Sequence, residues 1–169
     1  HLNVVLRTTM TCTGAGIGAL YIVSSSSNQV TNSYMSSVAG SAARFSTNGD
    51  YNTVSQSTMV GGGVGGSGLF LIGANFNLVT RSVMTNLTGS AATVMQNADR
   101  NLITLSTMTS AQSGYYALIV DRASTNTILG SYVQGSTAVY VTGSTGTVIG
   151  GSVLVATNTA GSALAFADG

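Results

Sequence analysis

Few carboxylate, amine or imidazole side chains in this sequence could perform acid–base chemistry, and most of them are aspartates. The 169 residues include no Glu and no Lys, four Asp, five Arg and one His, which is His1. Asp50 and Asp99 lie 49 residues apart. If the chain repeats at half that interval, parallel stacking places the two carboxyl groups about 9–10 Å apart, a separation that glycosidase chemistry allows. No acid lies between them to join the pair, so we attribute both aspartates to repetition of the sequence.

The other charged residues do not form a recognisable catalytic or metal-binding motif. Asp99-Arg100 and Asp121-Arg122 are neighbours of opposite charge, which are usually solvated. Calcium needs six to eight oxygen ligands, and four scattered Asp do not supply them. The only His is at position 1, which argues strongly against both a histidine metal centre and a Ser-His-Asp triad. We therefore expect no cofactor and no metal, and we favour a non-enzyme while leaving activity open.

Three further motifs have structural interpretations. The glycine-rich run at 61–67 lacks the Lys and the helix of a phosphate-binding loop, so we expect a protruding flexible loop. Cys12 is the only cysteine, which excludes an intrachain disulfide and indicates a small buried apolar residue. Asn86-Leu87-Thr88 is a glycosylation sequon, which has meaning only in a eukaryotic secretory setting.

Composition excludes several classes of partner. Charged residues are 5% of the chain, against about 25% in ordinary domains. A net charge of +1 offers no electrostatic footprint for nucleic acid or anionic lipid. No apolar run approaches the ~18 residues of a membrane span. Apolar residues still reach 44% and recur in register, which predicts a folded chain.

The feature that must position all these residues is an internal repeat. An eight-residue phrase that begins with Asn starts at 3, 28, 52, 77, 101 and 126, and a degraded copy starts at Gly146. The successive steps are 25, 24, 25, 24, 25 and 20 residues. A fixed period of this size predicts a solenoid, in which each repeat is one coil stacked on the last.

Each position within the repeat predicts a column of stacked side chains. Two residues after the Asn stands Val or Ile, which fits an inward strand position. The Asn and the Ser or Thr five residues later predict polar ladders at the bends, and the Met seven residues later predicts core. These columns comprise Asn28, Asn52, Asn77, Asn101, Asn126, Ser33, Ser57, Ser82, Ser106, Ser131, Met35, Met59, Met84 and Met108.

A second strand precedes each Asn, and its pattern repeats every 49 residues. Counted back from the Asn, position −9 is small and position −7 is large, so we predict that both point inward. Positions −8 and −6 then point outward and are apolar in alternate coils. They predict a face for contact with a partner, unless loops or neighbouring solenoid cover it. Its residues are Leu20, Ile22, Leu69, Leu71, Leu118, Val120, Val139 and Val141.

The phrase N-x-[VI]-x-x-[ST]-x-[MV], with the small-x-large strand before it, resembles the right-handed parallel β-helix repeat family. That family includes pectate lyases, phage tailspikes and bacterial autotransporter passenger proteins. The resemblance runs from about Asn3 to Phe166. It implies an all-β, right-handed parallel β-helix of about seven coils with three parallel sheets, roughly 34 Å long. Residues 1–169 would form one solenoid domain, which we interpret as a fragment or processed segment of a longer protein.

By elimination and by resemblance, we interpret the chain as a non-catalytic structural or adhesive segment of an extracellular surface or fibre protein. Its expected partners are a glycan or a protein at a cell surface, or another copy bound head to tail or laterally. The first alternative is a polysaccharide-active enzyme or a fragment of one, which requires converging Asp and Arg side chains. The second is an ice-binding solenoid, for which Thr9, Thr11, Thr107 and Thr109 form only a broken Thr-x-Thr ladder.

Overall fold

A computed structural model describes residues 2–14 and 17–168. His1, the only histidine, lies outside the described residues. Within these ranges the chain forms 21 β-strands and no helix, and therefore no helix that could cross a membrane. The all-β prediction is confirmed.

Three strands make one coil, and each coil contributes one strand to each of three sheets. The first sheet contains β1 (Val4–Leu6), β4 (Gln29–Thr31), β7 (Thr53–Ser55), β10 (Leu78–Thr80), β13 (Leu102–Thr104), β16 (Thr127–Leu129) and β19 (Val148–Gly150). The second contains β2 (Thr9–Cys12), β5 (Tyr34–Ser37), β8 (Thr58–Gly61), β11 (Val83–Asn86), β14 (Thr107–Ser110), β17 (Tyr132–Gly135) and β20 (Val153–Ala156). The third contains β3 (Gly18–Val23), β6 (Ser41–Ser46), β9 (Ser67–Ile72), β12 (Ser90–Met95), β15 (Tyr116–Asp121), β18 (Thr137–Thr142) and β21 (Leu164–Ala167).

Every strand pairs in parallel with its counterparts in the adjacent coils. This confirms a parallel β-solenoid of about seven coils with three sheets, while its right-handed winding stays a prediction. Parallel sheets bury their inner faces against one another, which explains the continuous apolar columns of the sequence.

The core follows two of the predicted columns. Val54 and Val79 from the first sheet and Met59 and Met84 from the second are fully buried. The register pairs Val54 with Val79 and Met59 with Met84, so like residues stack on like along the solenoid.

The last copy of the repeat begins one residue later than predicted. Ile149 pairs with Ile128, whereas Val148 is 52% exposed, so Thr147 and not Gly146 takes the Asn position. The final step is therefore 21 residues rather than 20. Thr147 cannot continue the amide ladder, and its buried hydroxyl has no hydrogen-bond partner.

Coils of 24 and 25 residues differ in how their connections are divided. In the longer coils, five residues join the second sheet to the third, as at 62–66 and 111–115, and five lead on to the first sheet. In the shorter coils, three residues make the first connection, as at 38–40 and 87–89, and six make the second. The extra residue in the second connection moves the third-sheet strand one position away from the Asn.

That one-residue shift overturns the prediction of an outward apolar strip. Leu69 pairs with Ala43 and Ala92, and Leu71 pairs with Phe45 and Val94. All of these side chains point into the core. A one-residue slip in a strand exchanges its two faces, and counting back from the Asn introduced that slip in alternate coils. The predicted contact residues are thus core residues, fully or partly buried: Leu20, Ile22, Leu69, Leu71, Leu118, Val120, Val139 and Val141.

Candidate functional site

The asparagine column forms a buried amide ladder at the bend before the first sheet. Asn77 accepts a hydrogen bond at Oδ1 from the Asn52 side chain (3.1 Å) and another from the Asn52 backbone N–H (2.8 Å). Its own Nδ2 donates to Asn101 Oδ1 at 3.0 Å. Asn101 and Asn126 also donate to the backbone carbonyls of Ala74 and Ala98. The hydrogen bonds thus run along the stack from coil to coil, as a structural ladder requires.

The serine column stabilises the bend between the first and second sheets. Ser82 Oγ accepts from the Ser57 backbone N–H at 3.2 Å and donates to the Thr80 carbonyl at 2.9 Å. Ser57 and Ser106 make the corresponding bonds. Each hydroxyl therefore satisfies one backbone donor and one backbone acceptor of a buried turn.

Asp50 and Asp99, which we attributed to repetition of the sequence, belong to another ladder in the turn that leads to the first sheet. Asp50 Oδ1 accepts the Asn75 backbone N–H at 2.6 Å, and Asp99 Oδ1 accepts the Ser124 N–H at 2.6 Å. Asn75 stands between them and accepts the N–H of Asp99 at 2.7 Å. The two carboxylates are thus separated by an amide and oriented by backbone donors, and each caps the turn of the next coil.

The other charged pair seen in the sequence, Asp121 and Arg122, is hydrogen-bonded within itself. Arg122 donates from Nε and Nη2 to the two carboxylate oxygens of Asp121 at 3.1 and 2.9 Å. These hydrogen bonds and the negative charge of Asp121 raise the pKa of Arg122. Within residues 2–14 and 17–168, no three His, Cys, Asp or Glu side chains lie together as a metal site.

The sequon residue Asn86 is 1% exposed. Its Nδ2 donates to the carbonyl of Gly66, and its Oδ1 accepts from the backbone N–H of Thr88 at 2.9 Å. In the folded chain this amide holds the glycine-rich loop in place and is not accessible to a glycosylating enzyme.

The Thr-x-Thr ladder of the ice-binding alternative is interrupted in space as in sequence. On the second sheet, Tyr34 pairs with both Thr9 and Thr58. Val83 then lies between Thr58 and Thr107. Bulky side chains at alternate positions do not make the flat threonine array that this function requires.

The outward face of the third sheet carries a column of mostly half-buried side chains, several of which are aromatic. One column runs Tyr21, Arg44, Phe70, Thr93, Ile119 and Tyr140. Tyr21 is 43% exposed and accepts a hydrogen bond from Ser46 Oγ at 3.0 Å. At the other end of the column, Tyr140 stacks on Tyr116 with ring centroids 4.6 Å apart.

Arg44 lies across the neighbouring aromatic ring in this column. Its guanidinium carbon is 4.9 Å from the centroid of Phe70, within the range of a cation–π contact. Its Nε is buried without a hydrogen-bond partner. Among the residues that the structure describes, the only ion pair joins Asp121 and Arg122, so Arg44 has no carboxylate partner there.

Beside Phe70 the same face contains a cleft of about 290 Å³. Thr93 forms its floor, and Phe70 and Ile119 form two of its walls. The two five-residue connections, 62–66 and 111–115, border it at one end. The cleft is therefore a product of the alternation in coil length.

This column was not predicted from the sequence, because the predicted phase put −7 residues such as Tyr21, Phe70 and Ile119 in the core. A signal for the correct phase was present. Counting each third-sheet strand from its first residue aligns Ser41, Ser67 and Ser90. That alignment puts Arg44, Phe70 and Thr93 in one outward column without any reference to the Asn.

No family model matches the sequence. No curated protein matches it significantly either. Among solved structures, the chain is similar to the crystal structure of alginate lyase from Paenibacillus sp. str. FPU-7, with a TM-score of 0.62 and 18% sequence identity. The match covers 85% of this chain and spans 57% of the length of the lyase chain. At this identity the likeness shows a shared parallel β-solenoid fold.

Proposed function

We propose that this chain is a non-catalytic β-solenoid segment of an extracellular surface or fibre protein, and that it contacts a polysaccharide through the outward face of its third sheet. The observation that carries the proposal is the column of exposed and half-buried rings on this face, with hydroxyl groups beside them. It replaces the contact face that the sequence predicted, which lies in the core.

The chemistry of this column suits carbohydrate. Tyrosine combines an apolar ring with a polar tip, and the C–H faces of a sugar ring pack on such rings while its hydroxyls bond to neighbouring polar groups. Tyr21 and Phe70 lie two coils apart, which is roughly 10 Å at the usual strand spacing. An extended polysaccharide that follows the solenoid axis can contact both rings at once.

The hydrogen bonding of the acids favours a non-catalytic role. Asp50 and Asp99 each accept a backbone N–H through one carboxylate oxygen, and Asn75 separates them. A general acid and base must instead face a common substrate atom. In this solenoid both carboxylates have a structural function in the turns.

A polysaccharide-active enzyme is the second candidate, because one solved structure with a similar fold is named an alginate lyase. A lyase would leave an unsaturated sugar at each cleaved end, which absorbs ultraviolet light. Incubation of the purified chain with alginate therefore separates the two candidates. If the ultraviolet absorbance grows with time, and Asp99→Asn abolishes this growth, then the chain is a lyase and the non-catalytic proposal is wrong.

Binding itself is tested by calorimetry of the purified chain with alginate and with neutral polysaccharides. We expect Phe70→Ala and Tyr140→Ala each to weaken binding up to about tenfold, since one aromatic contact contributes roughly 0.5–1.5 kcal/mol. Tyr51→Ala is the matched control. Tyr51 is exposed too, but it stacks on Phe76 in a turn outside the third sheet, with centroids 4.8 Å apart.

The control variant should bind as the unsubstituted chain does. Equal losses in Tyr51→Ala and Phe70→Ala would show that this face is not the contact. Absence of binding to every polysaccharide by the unsubstituted chain would overturn the proposal.

A further inference from the structure

We propose that the cleft above Thr93 is a subsite for a single uncharged sugar ring, and that the residue at this place in the column decides whether such a subsite is open. The inference rests on the proposed function, since it assigns one part of the polysaccharide contact to a defined cleft. It adds the class of ligand and the residue that controls access.

The walls and floor of the cleft differ in chemistry. Phe70, Tyr116 and Ile119 supply apolar surface, and Ser67 and Thr93 supply hydroxyls that bond to each other at 2.9 Å. This hydroxyl pair can also accept or donate toward a ligand, because each oxygen has capacity beyond one bond. Apolar walls over a hydroxyl floor match a sugar ring, which has C–H faces and a hydroxylated rim.

The lining of the cleft carries no charged side chain, which disfavours ionic ligands. None of the residues that line the cleft is Asp, Glu, Lys, Arg or His. A carboxylate or ammonium group placed there would lose water without gaining an opposite charge, which is unfavourable. The volume of about 290 Å³ lies at the lower end of small-molecule sites, so the cleft admits about one ring.

The 49-residue repeat provides an internal comparison. Arg44 occupies the same place as Thr93, two coils earlier, and it also lies next to Phe70 in the column. There the long side chain extends over the Phe70 ring instead of leaving a short floor. Both positions lie in strands that follow a three-residue connection, 38–40 and 87–89. The two places differ in the length of this side chain and also in the preceding coil, where Tyr21 and Gly18 stand beside Arg44 but Phe70 and Ser67 stand beside Thr93.

Two substitutions test whether this side chain decides if the cleft is open or filled. Thr93→Arg should fill the open cleft, and Arg44→Thr should open a second one. Thr93→Ser, which keeps the hydroxyl and the small volume, is the matched control. The probes are methyl glucoside and methyl galactoside, with glucuronate as the charged comparison, and binding is followed by amide chemical shifts in NMR spectra of the whole chain.

We expect the neutral glycosides to shift amides of β9, β12 and β15 in the unsubstituted chain and in Thr93→Ser. Thr93→Arg should weaken this binding at least tenfold. Arg44→Thr should add a second set of shifts in β3, β6 and β9, which a variant that merely unfolds cannot do. Thermal melting of each variant checks that it is folded.

The outcomes distinguish the inference from the proposed function. Polysaccharide binding that persists while neutral glycosides fail to shift these amides would overturn the subsite and leave the proposed function standing. Preference for glucuronate, or unchanged binding in a folded Thr93→Arg chain, would also overturn it. If the unsubstituted chain binds no polysaccharide at all, that result would instead contradict the proposed function.

Discussion

At the residue scale, the turn before the first sheet contains two side-chain ladders that hydrogen-bond differently. The inner ladder consists of the Asn column, and the outer one consists of Asp50, Asn75 and Asp99. In the inner ladder each Asn both accepts and donates: Asn101 accepts from Asn77 and donates to Asn126 and to the Ala74 carbonyl. In the outer ladder the side-chain oxygen only accepts a backbone N–H from the next coil. Asp therefore fits the outer ladder, whereas the inner ladder requires the amide.

The first prediction exchanges acid and amide within one turn. Asn101→Asp should lower the free energy of unfolding by about 3–5 kcal/mol, because a buried carboxylate would face two acceptors that have lost their donor. Asp99→Asn should change it by no more than about 0.5 kcal/mol, because Asn75 already fills the equivalent place. Urea unfolding of both variants measures the difference. Equal losses in the two would contradict the assigned ladders.

At the scale of the element, the sequence predicted most of the first two sheets and half of the third. Val or Ile and then Met recur at fixed distances after the Asn, since two residues always separate the strands of these sheets. Buried columns such as Val79 and Met84 could therefore be assigned by counting. The exception is the last copy, where Thr147 replaces the Asn and the count began one residue early.

The third sheet could not be assigned by the same count. The connection that leads from each of its strands to the first sheet ends on the Asn, and it is five residues long in some coils and six in others. Either choice of which alternate residues face the core puts apolar side chains there, because Phe70 and Leu71 are adjacent in sequence. Burial selects Leu71 for the core, and Phe70 then faces outward. The candidate cleft depends on this choice, and sequence analysis therefore did not find it.

The second prediction concerns the connection at 62–66. A Cβ on Gly66 would overlap the Gly62 carbonyl oxygen and lie 2.5 Å from that of Gly40, whereas a Cβ on Gly65 would meet nothing within 4 Å. Gly66→Ala should lower stability by about 1–3 kcal/mol, because backbone must move to relieve the contact. Gly65→Ala should leave the melting temperature unchanged. A neutral Gly66→Ala would show that this loop is not packed against its neighbours as described.

The Gly66 variant also bears on the proposed subsite. Gly66 lines the cleft, and its carbonyl accepts the hydrogen bond from Asn86. A loop displaced by the substitution would change the border of the cleft, so Gly66→Ala should weaken binding of neutral glycosides as well. Gly65 also lines the cleft but has open space around it, and its replacement should be tolerated.

At the scale of the whole molecule, stability comes from stacking rather than from charge. Each coil pairs with the coils beside it in all three sheets. The one ion pair among the described residues is largely exposed, with Arg122 at 60%. Head-to-tail or lateral self-association stays a prediction, and size measurement at several concentrations would test it.

The third prediction follows from nearest-neighbour stacking. Val79 and Met84 in the central coils are fully buried, whereas Val5 in the first coil and Ile149 in the last are only partly buried. In a solenoid, stability is approximately a sum of coil and interface terms, so coils with one neighbour open before coils with two. Amides of β10 and β11 should therefore exchange with deuterium at least about tenfold more slowly than those of β1 and β19, a difference of roughly 1.4 kcal/mol. Native-state hydrogen exchange measures these rates strand by strand. Uniform protection from the first coil to the last would mean that the chain unfolds as one cooperative unit, which would contradict nearest-neighbour stacking as the source of its stability.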